Sequence, residues 1–241
     1  MKRLVYLLCF CGWVGFADAQ TAVVELFTSE GCSSCPPADV LLGELTQREW
    51  AGDVYGLAFH VDYWDRLGWK DRFSDKEFTR RQYRYSEVLT DTRVYTPQMV
   101  VDGRSGFVGS NRSRALLAIK DALARPDSVA VELSVEKVGP NRTRLAYTLS
   151  SVGEGMQIVA ALVQRKTETD VKRGENVGRI LHHSHVVRSF KHFAAGKKAS
   201  GEARLSIPDD VTPDELDAIV YVQNRDRMTV LGAARVPLKG E

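Results

Sequence analysis

Thr28-Ser-Glu-Gly-Cys32-Ser-Ser-Cys35-Pro-Pro-Ala38 is the stretch on which the predicted fold depends, and it follows the apolar run 22–27. Two cysteines separated by two residues, between a strand and a helix, are typical of thiol chemistry. The helix N-terminus offers free N–H groups and partial positive charge, which favour a thiolate over a thiol. We therefore predict that Cys32 is the attacking thiolate and that Cys35, further into the helix, resolves the mixed disulfide.

The composition excludes some function classes and indicates export. The 241 residues are 44% hydrophobic with a formal charge of +2, which does not point to nucleic acid or an anionic membrane as a partner. Residues 1–19 resemble a secretory signal peptide, with a basic start, an apolar run too short to span a bilayer, and the cleavage signal Ala17-Asp-Ala19. We expect a mature periplasmic or secreted chain that begins at Gln20 and has no membrane span.

Only Cys32 and Cys35 remain after removal of the signal peptide, because Cys9 and Cys11 lie inside it. A mature chain of roughly 220 residues buries a core without disulfide staples. A bond across so short a loop adds little chain-entropy stabilisation. The pair is therefore better explained by chemistry than by stability.

The region after the cysteines predicts a βαβ unit. Pro36 and Pro37 are tolerated in the first turn of a helix, and apolar residues at helical spacing continue it to about Trp50. The run 54–62 is apolar enough for a strand buried on both faces, as in a parallel sheet. Residues 63–92 are predicted to be an insertion that contains a helix.

The rest of the chain predicts a hairpin, a helix and then many strands. Thr96-Pro97 precedes a hairpin whose turn is Asp102-Gly103, and residues 110–124 have helical periodicity. After a polar break at 125–128, about seven short strands follow without long helices. We therefore predict a first domain at 20–125 and a β-sandwich domain at 129–241.

The order of these elements resembles the thioredoxin superfamily. The resemblance implies that Thr96-Pro97 contains a cis peptide bond and holds substrate backbone beside Cys32. The predicted fold class is thus an α/β thioredoxin-like N-terminal domain with a helical insertion, followed by an all-β sandwich-like domain.

A second resemblance covers nearly the whole mature chain. The chain is similar to a secreted bacterial family whose members are usually labelled as thioredoxin-like domains of unknown function. The matching segments are Val23-Val-Glu-Leu-Phe-Thr-Ser-Glu-Gly-Cys32-Ser-Ser-Cys35-Pro-Pro-Ala-Asp39, His60-Val-Asp-Tyr-Trp-Asp65, Phe78-Thr-Arg-Arg-Gln82, Val94-Tyr-Thr-Pro-Gln98, Val171-Lys-Arg-Gly-Glu175 and Val186-Val-Arg188.

One position departs from the thioredoxin pattern. Thioredoxins carry a buried acid six residues before the first cysteine, where this chain has Leu26. Glu25 is one residue away and faces the other side of the sheet if the run is a strand. His60 and Asp62, at the end of the second strand, are the candidates for proton transfer. A structural hydrogen-bonding role for each is equally open.

These features predict a thiol–disulfide oxidoreductase that acts through Cys32 and Cys35 on protein thiols or disulfides of the cell envelope, without a cofactor. Ser33-Ser34 between the cysteines leaves the redox direction open. Thr96 and Pro97 are the candidate substrate contacts.

Two alternatives remain at this stage. Cys32, Cys35 and a histidine, either His60 or one of the group 182–185, suit Cu(I) and define a copper-binding alternative. In the second alternative the disulfide is inert, and the protein is a binding or adaptor module.

Overall fold

The computed structural model describes residues 20–240, so the predicted signal peptide at 1–19 lies outside the described residues. In chain order the elements are β1 (Thr21–Thr28), α1 (Pro36–Gln47), β2 (Asp53–His60), α2 (Lys76–Val88), β3 (Gln98–Val101), β4 (Ser105–Val108), α3 (Arg112–Leu123), β5 (Val131–Val138), β6 (Arg142–Leu149), β7 (Met156–Asp170), β8 (Ile180–Ala194), β9 (Ser200–Ser206), β10 (Leu216–Asn224) and β11 (Val230–Pro237). Short 3₁₀ helices occupy Asp62–Leu67 and Pro213–Glu215. No helix in this part of the chain combines the length and apolar character needed to cross a membrane.

Eight strands form one mixed sheet in the order β11-β10-β7-β8-β2-β1-β3-β4. β1 and β2 are parallel along their whole length, so that Thr28 pairs with His60 at their carboxyl ends. β8 joins the outer edge of β2 through one parallel pair, Ala58 with Val186. The other neighbours in this sheet are antiparallel. β5, β6 and β9 form a separate three-stranded antiparallel sheet.

Both faces of the large sheet are covered. Successive side chains of a strand point to opposite faces, so the side chains of one strand enter two separate cores. On β1, Phe27 belongs to the core on the α2 face, whereas Leu26 packs under α1 and α3. Further along the sheet, the face opposite α2 is covered by the three-stranded sheet instead of helices. Ile158 and Leu162 of β7 pack there against Leu145 of β6.

The predicted fold class, an α/β thioredoxin-like domain followed by an all-β sandwich, is wrong. The described chain is 43% strand and 21% helix, and it is built on one large mixed sheet. β1 to β4 of that sheet precede residues 125–129, and β7, β8, β10 and β11 follow them. Local periodicity identifies strands but not their partners, and it predicted short runs where β7 and β8 are each 15 residues long.

Several local predictions in the first half of the chain are confirmed. Pro36 and Pro37 open α1. The hairpin turn at Asp102 (φ 52°) and Gly103 (φ 63°) has the positive φ angles of a type I′ turn. Helix α2 begins after Asp75, whose side chain accepts a hydrogen bond from the backbone N–H of Glu77.

Candidate functional site

A disulfide bond joins Cys32 and Cys35 at the entrance to α1. Cys35 is the N-cap residue, and its carbonyl oxygen accepts hydrogen bonds from the N–H groups of Ala38 (2.8 Å) and Asp39 (3.2 Å). The bond therefore lies at the N-terminus of a helix, beside the carboxyl ends of the parallel strands β1 and β2. Both cysteines are 0% exposed.

The connection between β7 and β8, residues 171–179, covers the disulfide loop. The Nδ2 group of the buried Asn176 donates to the carbonyl oxygens of Glu30 (2.9 Å) and Cys32 (3.0 Å). The backbone N–H of Ser33 donates to Oε2 of Glu175 (3.1 Å), and hydrogen bonding from the side chain and the backbone of Ser33 lowers the pKa of that carboxyl. Residues from the second half of the chain thus hold the cysteine loop in place.

The Thr96–Pro97 peptide bond is cis, as predicted. The indole N–H of Trp64 donates to Oγ1 of Thr96 (2.8 Å). A Cβ atom at Gly31 would lie 3.2 Å from Cβ of Trp64, so this tryptophan also contacts the residue before Cys32. The predicted insertion therefore supplies the side chain that links Thr96 to the cysteine loop.

Five titratable side chains are buried together next to the disulfide loop, and we call them the acid–histidine cluster. Its members come from five separate parts of the chain, and each is at most 3% exposed: Glu30, Asp39, His60, Asp71 and His183. Within residues 20–240, the only basic side chains that pair with its three carboxylates at 4.0 Å or less are its own two imidazoles. Charged groups in a dry interior shift their pKa values strongly, which makes such clusters candidates for function.

Asp71 ties the cluster to the cysteine loop. Its Oδ2 atom accepts hydrogen bonds from Nδ1 of His60 (2.6 Å) and from the backbone N–H of Glu30 (2.8 Å). Burial alone raises the pKa of Asp71, but the His60 charge and these hydrogen bonds outweigh it, and the pKa lies below its usual value. Burial likewise lowers the pKa of His60, and the Asp71 carboxylate reverses this, so that the pKa of His60 is raised. The pair is therefore best described as an imidazolium hydrogen-bonded to a carboxylate.

His183 lies between the other two carboxyl groups. Its Nε2 atom is 3.6 Å from Oε1 of Glu30, and its Nδ1 atom is 3.9 Å from Oδ2 of Asp39. Both distances exceed a normal hydrogen bond. Neither ring nitrogen has a hydrogen-bond partner, and the same holds for Oε1 of Glu30 and Nε2 of His60. Four buried polar atoms without partners at one place need a physical explanation, because such atoms are rare in folded proteins.

Asp39 connects the cluster to the helix that carries Cys35. It lies one turn after that cysteine, and its Oδ2 atom accepts a hydrogen bond from Oγ1 of Thr28 (3.3 Å). Burial raises the pKa of Asp39 above its usual value, against the opposing effect of His183. A carboxyl group in this position therefore holds its proton more tightly than an exposed aspartate.

The predicted proton-transfer residues separate in the structure. His60 is part of the acid–histidine cluster. Asp62 is not part of it. Its Oδ1 atom accepts a hydrogen bond from Oγ1 of Thr79 on α2 (2.5 Å), and the backbone N–H of Asp62 donates to Oγ1 of Thr79 (3.1 Å). Asp62 thus joins the end of β2 to helix α2.

Of the histidines at 182–185, His183 belongs to the acid–histidine cluster, whereas His182 and His185 lie elsewhere. The side chain of His182 is 73% exposed. His185 (φ 57°) lies near the far end of α1, where its Nε2 atom is 2.7 Å from Oγ1 of Thr46, and burial lowers its pKa to about 4. Within residues 20–240, no group of three or more His, Cys, Asp or Glu side chains is arranged to hold a metal ion. The copper interpretation therefore gains no support.

A cleft of about 510 Å³ lies between α1 and the strands β7 and β8. Gly43 and Glu44 line it on the helix side, and His182, His183 and Ser184 line it on the β8 side. His183 is 2% exposed and therefore forms part of the wall between this cleft and the acid–histidine cluster.

Sequence reasoning missed four residues of the site: Glu30, Asp39, Asp71 and Asn176. Asp39 carried a usable signal, because an acid next to Ala38 and before the apolar pair 41–42 falls on the buried side of α1. The other three gave none, since their partners lie up to 146 residues away in the chain.

Comparison with known proteins gives a family and a related structure. The family model "Protein of unknown function (DUF1223)" matches residues 23–223. A crystal structure of the protein AGR_C_4864 from Agrobacterium tumefaciens is 31% identical, with a TM-score of 0.67, over 93% of this chain and 100% of that one. A domain of the outer membrane lipoprotein Omp28 from Porphyromonas gingivalis is 6% identical, with a TM-score of 0.31, over 47% of this chain and 89% of that one. No curated protein matches the sequence.

Proposed function

We propose that this chain, which belongs to the DUF1223 family of proteins of unknown function, carries out thiol–disulfide exchange with protein substrates through Cys32 and Cys35. The observation that carries the proposal is the position of the disulfide at the N-terminus of α1, with Cys35 as the N-cap residue. The helix dipole at that position stabilises a cysteine thiolate. Thiolates are both the nucleophiles and the leaving groups of disulfide exchange.

In the reduced protein, Cys32 acts as the nucleophile and Cys35 resolves the mixed disulfide. In the oxidised protein, a substrate thiolate attacks Sγ of Cys32, and Cys35 leaves as the thiolate. Thr96 and Pro97 serve as substrate contacts in this proposal, because Trp64 joins Thr96 to the cysteine loop. Both cysteines are buried, so exchange requires the 171–179 segment to move away from Cys32.

The proposal includes export of the protein to the periplasm or the exterior. It is supported by the signal-like pattern of residues 1–19 and by the disulfide itself, because disulfides persist in oxidising compartments. Under this proposal the substrates are cysteine-containing proteins of the cell envelope.

The burial of both cysteines favours a second candidate function. A disulfide with 0% exposure at both residues, covered by Asn176, also suits an inert cross-link in a binding or adaptor module. The two candidates differ in one measurable property, which is whether the native protein exchanges its disulfide with thiols.

The test is a trapping experiment in the native cell envelope. A Cys35→Ser variant retains the nucleophile but cannot resolve, and we expect it to accumulate mixed disulfides with substrate proteins. Cys32→Ser is the matched control and is expected to accumulate far fewer. If neither variant forms adducts, and the wild-type disulfide of the folded protein resists excess dithiothreitol, the exchange proposal is wrong and the adaptor function stands.

A further inference from the structure

The acid–histidine cluster holds the largest concentration of unexplained polar atoms among the described residues. Among residues 20–240, seven buried side-chain atoms lack hydrogen-bond partners, and four of these atoms belong to the cluster. A buried polar atom without a partner costs about 1–3 kcal/mol, so packing alone does not account for retaining four together. Their position next to the disulfide offers an explanation in terms of proton transfer.

We infer that the side chains of Glu30, His183 and Asp39 form an internal proton store that protonates Cys35 when the Cys32–Cys35 disulfide opens. This inference rests on the proposed exchange function and extends it to new residues. Glu30 lies two residues before Cys32 and Asp39 lies four residues after Cys35, so the two carboxyl groups flank the disulfide in the chain. His183 lies between them. Side chains four apart on a helix are neighbours, with Cβ atoms about 5–6 Å apart.

The reaction step balances in atoms and charge. A substrate thiolate attacks Sγ of Cys32, so that a bond forms between the two sulfurs while the bond between Cys32 and Cys35 breaks. The electron pair of the broken bond leaves on Sγ of Cys35, which is buried and therefore poorly solvated as a thiolate. A proton from the carboxyl group of Asp39 converts this thiolate to a thiol, and the negative charge remains on the carboxylate. In the reverse direction the carboxylate takes the proton back as Cys35 attacks the mixed disulfide.

His183 has the position to replenish that proton. One ring nitrogen faces Asp39 at 3.9 Å and the other faces Glu30 at 3.6 Å, so a small shift of the ring brings either carboxyl group into hydrogen-bond contact. His183 also lines the cleft beside α1, so its ring lies between the store and the solvent of that cleft. Burial raises the pKa of Asp39, which agrees with a carboxyl group that holds its proton more tightly than an exposed aspartate.

The neighbouring polar and charged side chains make contacts of their own. Asp71 and His60 pair with each other, and Asp71 holds the backbone of Glu30. Trp69 donates its indole N–H to Oε2 of Glu30 (2.7 Å), which leaves Oε1 facing His183. Arg72 and Arg188 lie over the ring of Phe73, at 4.5 and 5.0 Å from its centroid, and that ring in turn contacts His60 and His183.

The test measures the rate at which dithiothreitol reduces the disulfide of the folded protein between pH 5 and pH 9. Each rate is divided by the fraction of dithiothreitol present as thiolate, so that only proton transfer by the protein remains. The variants are Asp39→Asn and His183→Gln, with Glu30→Gln as a second carboxyl variant. His182→Gln is the matched control, because it removes an exposed imidazole from the adjacent position. The series is repeated with Asn176→Ala, so that slow opening of the loop does not mask the proton step.

We expect the corrected rate of the wild type to be highest at low pH and to fall as the store loses its proton. Asp39→Asn and His183→Gln should lose this pH dependence and react at least about tenfold more slowly at pH 6, since general acid catalysis typically contributes that much or more. His182→Gln should follow the wild type. Equal pH profiles in all variants would overturn the inference and leave the exchange function standing. A disulfide that resists dithiothreitol in both the wild type and Asn176→Ala would overturn the exchange function as well.

Discussion

Nδ2 of Asn176 lies 3.0 Å from the carbonyl oxygen of Cys32, although 144 residues separate the two in the chain. The same amide nitrogen donates to the carbonyl oxygen of Glu30, and no part of Asn176 is exposed. Access to the disulfide therefore depends on a side chain from the connection between β7 and β8. The stability of that contact should control how fast the disulfide reacts.

Replacing Asn176 with alanine should speed the reduction of the disulfide. The change removes the Asn176 donor from the carbonyl oxygen of Glu30 and leaves that of Cys32 with only the N–H of Cys35, at a cost of about 1–3 kcal/mol to the closed state. Because about 1.4 kcal/mol corresponds to a factor of ten, local opening should become about five- to a hundredfold more frequent. The measurement is the rate of thiol appearance in excess dithiothreitol.

The control for this variant is Asn141→Ala. Asn141 is exposed in the turn between β5 and β6, and its backbone carbonyl rather than its side chain accepts from Ile207. We expect Asn141→Ala to react at the wild-type rate. An unchanged rate in Asn176→Ala would mean that this asparagine does not limit access.

Arg81 and Glu25 form a buried ion pair that should dominate the stability of the α2 face. The Nε and Nη2 atoms of Arg81 donate to the two carboxylate oxygens of Glu25, at 2.6 and 2.7 Å, and Tyr85 and Tyr221 complete the network. Arg81→Met leaves the buried carboxylate of Glu25 without its charged partner and should lower the free energy of unfolding by about 3–5 kcal/mol. Urea denaturation gives the value.

Arg80→Met is the control on the same helix, because Arg80 pairs with Glu77 at the surface. Exposed pairs contribute at most about 1 kcal/mol, so this variant should stay close to the wild type. Similar losses of unfolding free energy in both variants would show that the buried pair contributes no more to stability than the surface pair. Arg81 is 5% exposed, whereas the side chain of Arg80 is 62% exposed.

The contribution of Asp102 to the free energy of unfolding should increase as the pH falls from about 6 toward 4. Burial raises the pKa of Asp102 to about 6, although the N–H of Val23 donates to its carboxylate. A carboxyl group with a raised pKa binds its proton more tightly in the folded state than in the unfolded state. Its contribution to stability is therefore full below the unfolded pKa of 3.8 and is lost as the pH rises to about 6.

Asp102→Asn removes this titration and keeps an oxygen to accept from Val23. The difference in unfolding free energy between the wild type and this variant should change between pH 4 and pH 6, by about 1.4 kcal/mol for each unit of pKa shift. The difference should be constant above pH 7. Parallel stability curves across the whole range would contradict the prediction.

Gly109 is required by the close approach of three elements near the cis peptide bond. A Cβ atom there would come within 2.7 Å of Cδ1 of Leu26, 3.0 Å of Cβ of Pro97 and 3.2 Å of Cβ of Ala38. Gly109→Ala should therefore destabilise the protein by about 1–3 kcal/mol through overpacking. Thermal unfolding checks this, with Gly139→Ala as the control. At Gly139 the nearest atom would be 3.5 Å away, and an equal loss in that variant would refute the overpacking argument.

Local sequence was sufficient for much of the first half of the fold. The apolar run at β1, the prolines of α1 and the type I′ turn at Asp102 each depend on neighbouring residues alone, whereas the cis bond at Thr96–Pro97 was predicted from the resemblance to thioredoxins. The order of the strands was not predictable in this way. Strand β8 was expected in a separate sandwich, yet it lies beside β2, because pairing depends on long-range packing rather than on local pattern.

The sequence by itself determined that Cys32 and Cys35 stand as a pair between a strand and a helix, since apolar periodicity and proline positions act within a few residues. Only the tertiary structure decided what surrounds that pair. Asn176 covers it, and Glu30, Asp39, His60, Asp71 and His183 are buried beside it. Asn176 and His183 come from the second half of the chain and His60 and Asp71 from β2 and the connection after it, whereas Glu30 and Asp39 flank the cysteines. Their burial, and the pKa shifts of Asp39, His60 and Asp71, arise from three-dimensional packing, which no local pattern specifies.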